Sequence, residues 1–311
     1  RIVEAVVDEV IAGPAGAARR DNVLRAIGFM CLALSLFPFM NAAVKYLTPH
    51  YSMAEIIWSR YFGHVLYMIA VFMPRRGWGL FRTAHIRTHI SRSLAMFAST
   101  SLYFLGLKGT PLATAASISF VGPFIVTALS VPMLGEKVGG RRWAAVLVGF
   151  AGALIIIRPG AGVVHWSALF IVANAFSYAL YQILSRRMAA HDPPETSVAY
   201  AALAGALLTS LALPFGFRLP DNGFDLLVLI SLGMFGGLGH FFVVKAFEGA
   251  PASVLSPFSY GQLLWATLLG YAFFGDFPDR WTWVGAAVIV VSGLYITYRE
   301  TKLKKAGTQT M

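Results

Sequence analysis

Residues 109–160 read GTPLATAASISFVGPFIVTALSVPMLGEKVGGRRWAAVLVGFAGALIIIRPG, and residues 249–300 read GAPASVLSPFSYGQLLWATLLGYAFFGDFPDRWTWVGAAVIVVSGLYITYRE. Laid over one another without a gap, at an offset of 140 residues, they match at Gly109 and Gly249, Pro111 and Pro251, Ser119 and Ser259, Thr127 and Thr267, Leu129 and Leu269, Gly135 and Gly275, Trp143 and Trp283, Val148 and Val288, and Leu154 and Leu294. The acidic residue after the glycine recurs, Glu136 as Asp276, and upstream Glu55 matches Glu195 in the same register. A shared apolar composition supplies scattered matches, but not the Gly-x-Pro opening, the glycine-acidic close and the tryptophan together. The chain is built from a repeat, and a repeat decides the architecture before any single residue does.

The composition around that repeat belongs to a bilayer. Of 311 residues, 57% are hydrophobic and only 13% charged, against about 25% charged in a soluble domain, and the mean hydropathy is +0.67. That excludes an ordinary soluble enzyme. A helix needs about 20 largely apolar residues to cross the hydrocarbon core. Ten such segments are predicted, over 24–46, 52–73, 89–108, 111–134, 140–158, 166–188, 194–214, 223–248, 251–275 and 280–298. The repeat unit is then five helices. Because five is odd, the second copy enters the membrane from the opposite side, so the expected fold is all-α, with ten transmembrane helices as two inverted five-helix repeats around a central cavity. The divisions are a cytoplasmic N-terminal arm over 1–23, a first repeat over 24–158, a second over 166–300 and a basic cytoplasmic tail over 301–311. The first residues carry Glu4, Asp8 and Glu9 rather than the basic start and apolar core of a cleaved signal peptide.

Charge placement sets the orientation. With the N-terminus inside, nineteen of the 25 basic residues fall in cytoplasmic segments, five outside, and Arg60 within a span. Lys and Arg concentrate on the cytoplasmic side of membrane proteins, so both termini are expected there. The net charge of +11 is thereby topology, and no nucleic-acid partner is expected. The single cysteine, Cys31, excludes a disulfide framework and a thiol-based metal site.

The two quoted stretches resemble the signature segments of EamA-type members of the drug/metabolite transporter superfamily, and the resemblance spans essentially the whole chain. The proline in the fourth helix, Pro123, the Gly-Glu and Gly-Asp closes and the glycine-rich fifth and tenth helices carry it. The resemblance implies ten helices, a central cavity and substrates that range from amino acids and other metabolites to drugs and organic cations. Within the family the chain is most similar to bacterial amino-acid exporters. Inverted repeats recur in secondary transporters, with the binding site near the midplane between the halves.

Polar groups inside the spans are the candidates for that site, since ionised side chains there cost at least about 2.5–3.5 kcal/mol to insert. In the eighth span Gly233, Gly237 and His240 occupy adjoining turns, a face open to a ligand or, equally, to a packed helix through Gly-x-x-x-Gly. The matching place in the first half holds Ser99, Thr100 and Tyr103. Trp265 falls midway along the ninth span, close to Tyr260 and Gln262. It is placed to stack on a planar substrate, or else to fill space between helices. Pro38, Pro123 and Pro257 each interrupt helical hydrogen bonding within a span, as a substrate-facing break or a static kink. Asn41, Asn174, Tyr178 and Gln182 line the first and sixth spans, as cavity groups or as interhelical bonds. Arg60 and His64 sit one turn apart. Arg60 has three readings: a carboxylate site, an ion pair with a neighbouring helix, or a reach toward the outer interface. The substrate-binding set is Tyr103, Ser99, Thr100, Pro123, His240, Tyr260, Gln262, Trp265, Asn41 and Tyr178.

Nothing in the chain supplies chemistry. There is no G-x-x-x-x-G-K-[ST] phosphate loop, no H-E-x-x-H and no G-x-S-x-G. No cofactor and no metal are expected, and a membrane-embedded enzyme or a passive channel fits less well than a carrier. Glu55, Glu136, Glu195, Glu248 and Asp276 map toward span ends, which weakens a carboxylate proton relay, while His64 and His240 keep proton coupling open. The expected activity is export of amino acids with aromatic or other hydrophobic side chains, or of similar small metabolites, by alternating access across a bacterial inner (plasma) membrane. Export of drugs or organic cations is the alternative.

Overall fold

A computed structural model of the chain describes residues 16–135, 138–158, 166–188, 191–213, 217–250, 255 and 258–308. The residues described are helical apart from short connections, and no strand occurs among them. In chain order the helices are α1 (Gly16–Leu47), α2 (Met53–Val71), α3 (Ile86–Leu107), α4 (Leu112–Ser119), α5 (Gly122–Leu134), α6 (Gly140–Ile157), α7 (Ser167–Met188), α8 (Pro194–Ala212), α9 (Gly223–Gly249), α10 (Gly261–Phe274) and α11 (Arg280–Thr308). Two short turns, Met73–Arg76 and Gly77–Phe81, follow α2. The expected all-helical membrane fold is present.

Local chemistry starts and stops these helices. Ser52 caps α2 by accepting the Glu55 N–H, while the Glu55 carboxylate takes the Ser52 N–H at 2.9 Å, the reciprocal box that satisfies two orphan donors. Asn222 caps α9 through the Asp225 N–H at 2.8 Å. The repeat is visible in the stops. α5 ends at Gly135 (φ 68°) and α10 at Gly275 (φ 69°), both left-handed, where glycine pays no Cβ penalty. Their N–H groups return to Ser130 and Val131 in one half and to Gly270 and Tyr271 in the other, the same positions 140 residues apart.

Two segments depart from the prediction: in the run 251–275 a turn at Tyr260 precedes α10, which starts at Gly261, and its counterpart in the first half is broken at the matching place. The apolar run 111–134 is two helices, α4 and α5, joined by a turn at Phe120 and Val121. Pro123 therefore lies in the first turn of α5, where its missing N–H breaks no helical bond, and its carbonyl accepts the Thr127 hydroxyl at 3.0 Å. Pro38 lies inside α1, which continues through it. Pro257, Pro251 and Glu136, and most of the expected N-terminal arm, lie outside the described residues.

By length and apolarity alone, Asn22–Leu47, Leu112–Leu134, Gly140–Ile157, Ser167–Ser185 and Gly223–Val243 are able to cross a membrane, and α2 with its following turns, bent by 44°, is a sixth. α3 carries Arg87, His89 and Arg92 in its first two turns, and α10 and the apolar part of α11 are shorter.

Packing follows the repeat. α1 packs on α9 and α10, α3 on α7, α5 on α7, α6 on α11, and α2 on α8 and α9. Exchanging the halves turns α1 into α7, α3 into α9 and α5 into α10. The α1–α9 contact then becomes α7–α3 and the α1–α10 contact becomes α7–α5, while α6–α11 and α2–α8 map onto themselves. The two halves are thus related as an exchangeable pair.

Candidate functional site

The middle of the bundle is organised by four residues of α1 around Pro38. Phe37 meets the His240 ring edge-on at 5.3 Å, on α9. Phe39 lies 5.7 Å from Trp265 of α10 and 6.4 Å from Phe235 of α9. Met40 borders Gly236, and the Asn41 amide donates to the Tyr103 hydroxyl of α3 at 3.5 Å. Consecutive positions of one helix thereby touch helices from both halves.

α2 forms the facing wall. Arg60, His64 and Tyr67 recur at helical spacing on the side that meets α9, and glycines let the two helices close. A methyl added at Gly63 would lie 2.7 Å from the Gly233 Cα, and one at Gly237 would lie 2.8 Å from the Tyr67 ring. The small-residue face of α9 is thus a packing seam against α2, as one of its two readings holds. Beside that seam the His64 and His240 rings stack, with centroids 5.9 Å apart and planes within 6°. Arg60 is 3% exposed. Its Nε and Nη1 have no hydrogen-bond partner, and its guanidinium lies 4.8 Å above the Tyr61 ring and 5.9 Å from Phe104. Among the described residues it pairs with no helix neighbour.

A cavity of about 110 Å³ runs from this region toward one end of the bundle. Tyr67, Gly237, His240 and Phe241 form its inner part, and Phe72, Arg75, Arg76, Glu195 and Lys245 its mouth. Arg76 and Glu195 pair across the mouth at 3.2 Å.

The other predicted residues divide. Ser99 donates to Asn174 at 2.7 Å and Thr100 bonds the Tyr61 hydroxyl at 3.1 Å; both are buried and hold α3 to α7 and α2. Tyr178 stacks on Tyr181 at 5.7 Å. Tyr260 meets Phe120 at 5.0 Å, against the turn between α4 and α5, and Gln262 is half-buried in the first turn of α10. Pro123 is exposed beside that same turn. Asn41, Tyr103, His240 and Trp265 therefore converge around α1, whereas Tyr260 and Pro123 gather at the α4–α5 break. The aromatic residues Phe37 and Phe39 were not singled out by sequence reasoning. Their signal is adjacency to Pro38.

Both ends of the bundle are tied. At one, Lys45 bonds Asp276 at 2.6 Å and the Thr110 carbonyl at 3.4 Å, and Tyr46 and Tyr51 donate to Asp225 at 3.0 and 2.8 Å. At the other, Asp192 accepts from Thr83 at 2.5 Å and meets the His89 Nε2 at 2.8 Å. The Thr83 hydroxyl first, then His89, hold the Asp192 carboxyl below the ordinary carboxylate range against its partial burial. Arg92 donates to Ser185 Oγ, the Ser197 carbonyl and the Tyr181 hydroxyl at 2.6, 2.7 and 2.9 Å.

An inverted pair of helical halves that closes on a polar and aromatic centre, tied across both ends, defines a membrane transporter. Residues 24–158 and 165–298 both match the EamA-like transporter family, and the chain belongs to that family. It is 34% identical to a riboflavin transporter of Vibrio cholerae over 71% of this chain and 74% of that one. It is 29% identical to an S-adenosylmethionine uptake transporter of Rickettsia felis over 90% and 94%, and 28% identical to a riboflavin transporter of Rhizobium johnstonii over 89% and 92%. A solved crystal structure shares the fold at a TM-score of 0.62 and 22% identity, covering 91% of this chain and 98% of that one. The relatives are named for metabolites other than simple amino acids, and one of them for uptake.

Proposed function

We propose that the chain is a secondary carrier that moves small metabolites with an apolar or planar ring across a bacterial inner membrane by alternating access, both termini cytoplasmic. Amino acids with aromatic or other hydrophobic side chains are the substrate class, and Asn41, Tyr103, His240 and Trp265 are its binding groups. One observation carries this reading: α1 presents Phe37, Phe39 and Asn41 to helices of both halves at once, so rocking of one half against the other remodels this site first. Aromatic faces suit a ring, and the amide and hydroxyl suit a polar head. Ser99, Thr100 and Tyr178 act in this account as the supports of α3 and α7, and Tyr260, Gln262 and Pro123 as the moving joint at the α4–α5 turn.

A second reading is favoured by the relatives. S-adenosylmethionine is an amino acid bearing a purine, and riboflavin is a fused planar ring, so a heteroaromatic metabolite fits the same groups. Direction follows the gradient, since a carrier of this type runs either way.

The test is uptake of labelled phenylalanine, tryptophan, leucine, S-adenosylmethionine and riboflavin into proteoliposomes, with and without an imposed proton gradient. Saturable uptake of one of the amino acids, lost in Trp265→Ala and His240→Ala, supports the first reading, and a response to the gradient identifies proton coupling. Uptake of riboflavin or S-adenosylmethionine alone selects the second. Movement of organic cations only would overturn both.

A further inference from the structure

We propose that Arg60, with the stacked His64 and His240 beside it, is a binding site for the carboxylate of the transported molecule. The proposal rests on the carrier reading above and names the polar group by which the substrate is held.

The observation is an unspent charge in the middle of the protein. Arg60 is 3% exposed, and its Nε and Nη1 have no partner. A buried guanidinium without hydrogen bonds is unfavourable, so a chain that keeps one has a ligand for it to meet. No carboxylate of the described residues pairs with it. Among the described residues Glu55 is taken by Ser52 and Arg218, Asp225 by Tyr46 and Tyr51, Glu195 by Arg76 and Asp276 by Lys45. What the structure gives Arg60 instead is the faces of Tyr61 and Phe104, which hold a guanidinium in place while leaving its edges free.

The residue opposite on α9 is Gly236, whose added methyl would stand 3.9 Å from the Arg60 Nε, so that position of α9 sets no side chain against the guanidinium. One turn along, the His64 Nε2 is buried and unpartnered beside His240, and His240 borders the cavity. The mouth of that cavity carries Arg75, Arg76, Glu195 and Lys245, with Arg76 paired to Glu195.

The shape of the guanidinium selects the ligand group. One guanidinium neutralises one negative charge, and its planar fork matches the two oxygens of a carboxylate, with the unpaired imidazole nitrogen as a further hydrogen-bond partner.

The experiment measures Kd on the purified full chain by ligand-induced thermal shift, using matched probes with and without the carboxylate: phenylalanine against phenylalaninamide, and S-adenosylmethionine against its decarboxylated form. Loss of a charge-assisted bond is expected to weaken binding about tenfold or more in the wild type. In Arg60→Gln the two members of each pair should bind alike, and in Arg60→Lys part of the preference should return. Equal binding of both members by the wild type overturns the proposal, as does an Arg60→Gln protein that melts cooperatively and keeps the preference. If Arg60→Gln does not fold, the wild-type ratio and Arg60→Lys decide it. If neither pair binds, the amino-acid reading fails, and benzoate separates the two claims. Benzoate binding that Arg60→Gln abolishes keeps the carboxylate site; no benzoate binding removes it.

Discussion

Arg92 and Arg60 are equally buried, at 4% and 3% exposed, and each lies against a tyrosine ring, at 4.7 and 4.8 Å. They differ in what their nitrogens meet. Arg92 spends all three on Ser185, Ser197 and Tyr181 and so joins α3 to α7 and α8. Arg60 leaves Nε and Nη1 unmet between α2, α9 and α1. Burial of a charge therefore does not distinguish structure from function in this protein. Satisfaction of its donors does: a fully bonded arginine is a clamp, and an unmet one is held for a ligand.

That contrast is broken most directly by removing the clamp. Arg92→Met leaves the Ser197 carbonyl and the Tyr181 hydroxyl without their buried partner, at about 1–3 kcal/mol for each such group. It should produce the largest fall in Tm of any single change discussed here, read by thermal unfolding in detergent. The next effect falls on the seam that frames Arg60. Gly63→Ala places a methyl 2.7 Å from the Gly233 Cα, a backbone atom that cannot turn aside, so α2 and α9 must separate at about 1–3 kcal/mol. Gly28→Ala on α1, with nothing within 4 Å, is the control and should be neutral or stabilising. If the two alanines behave alike, the close approach of α2 and α9 is wrong.

Smaller changes sharpen the picture at the ends. Lys45→Ala removes a partly exposed ion pair with Asp276 and should change stability by no more than about 1 kcal/mol. Asp192 has a carboxyl held below its ordinary range, so its contribution is fully present above the ordinary carboxylate pKa and is lost as pH falls through the lowered one. Asp192→Asn should flatten the acid limb of a Tm-against-pH profile and leave the neutral limb parallel to wild type. The smallest effect on stability belongs to Arg60→Met, which removes an unmet charge and should leave Tm unchanged or higher while transport falls. A large drop in Tm there would make Arg60 a second clamp and erase the contrast.

Much of the fold is legible in the sequence because it rests on local or periodic signals. The offset between Gly135 and Gly275 anticipates two left-handed helix ends, and Ser52 with Glu55 anticipates a capped start. The turn at Phe120 and Val121 is hidden inside an unbroken apolar run. Its signal is Pro123, read as a kink within a helix when it marks the start of one. The site is legible in composition more than in arrangement. Asn41 and His240 stand out as polar groups in mid-span, Tyr103 by its place in the repeat and Trp265 by its distance from the span ends, and the last three meet α1 within two residues of Pro38 or just beyond it. What the sequence could not assign was satisfaction. Arg92 finds partners 89 to 105 residues downstream, and Arg60 finds none, yet the two look alike when read along the chain. Ser99 and Thr100 look like cavity groups for the same reason, and Asn174 and Tyr61 consume them.

Countertransport tests the central claim most directly. Proteoliposomes are preloaded with unlabelled substrate, chosen as whichever of phenylalanine, S-adenosylmethionine or riboflavin the uptake assay identifies, and entry of the labelled compound is followed with and without that internal pool. A carrier whose single site is remade between the two halves predicts saturable entry that internal substrate accelerates. Entry that rises linearly with concentration and ignores the internal pool would contradict alternating access and the site built around α1.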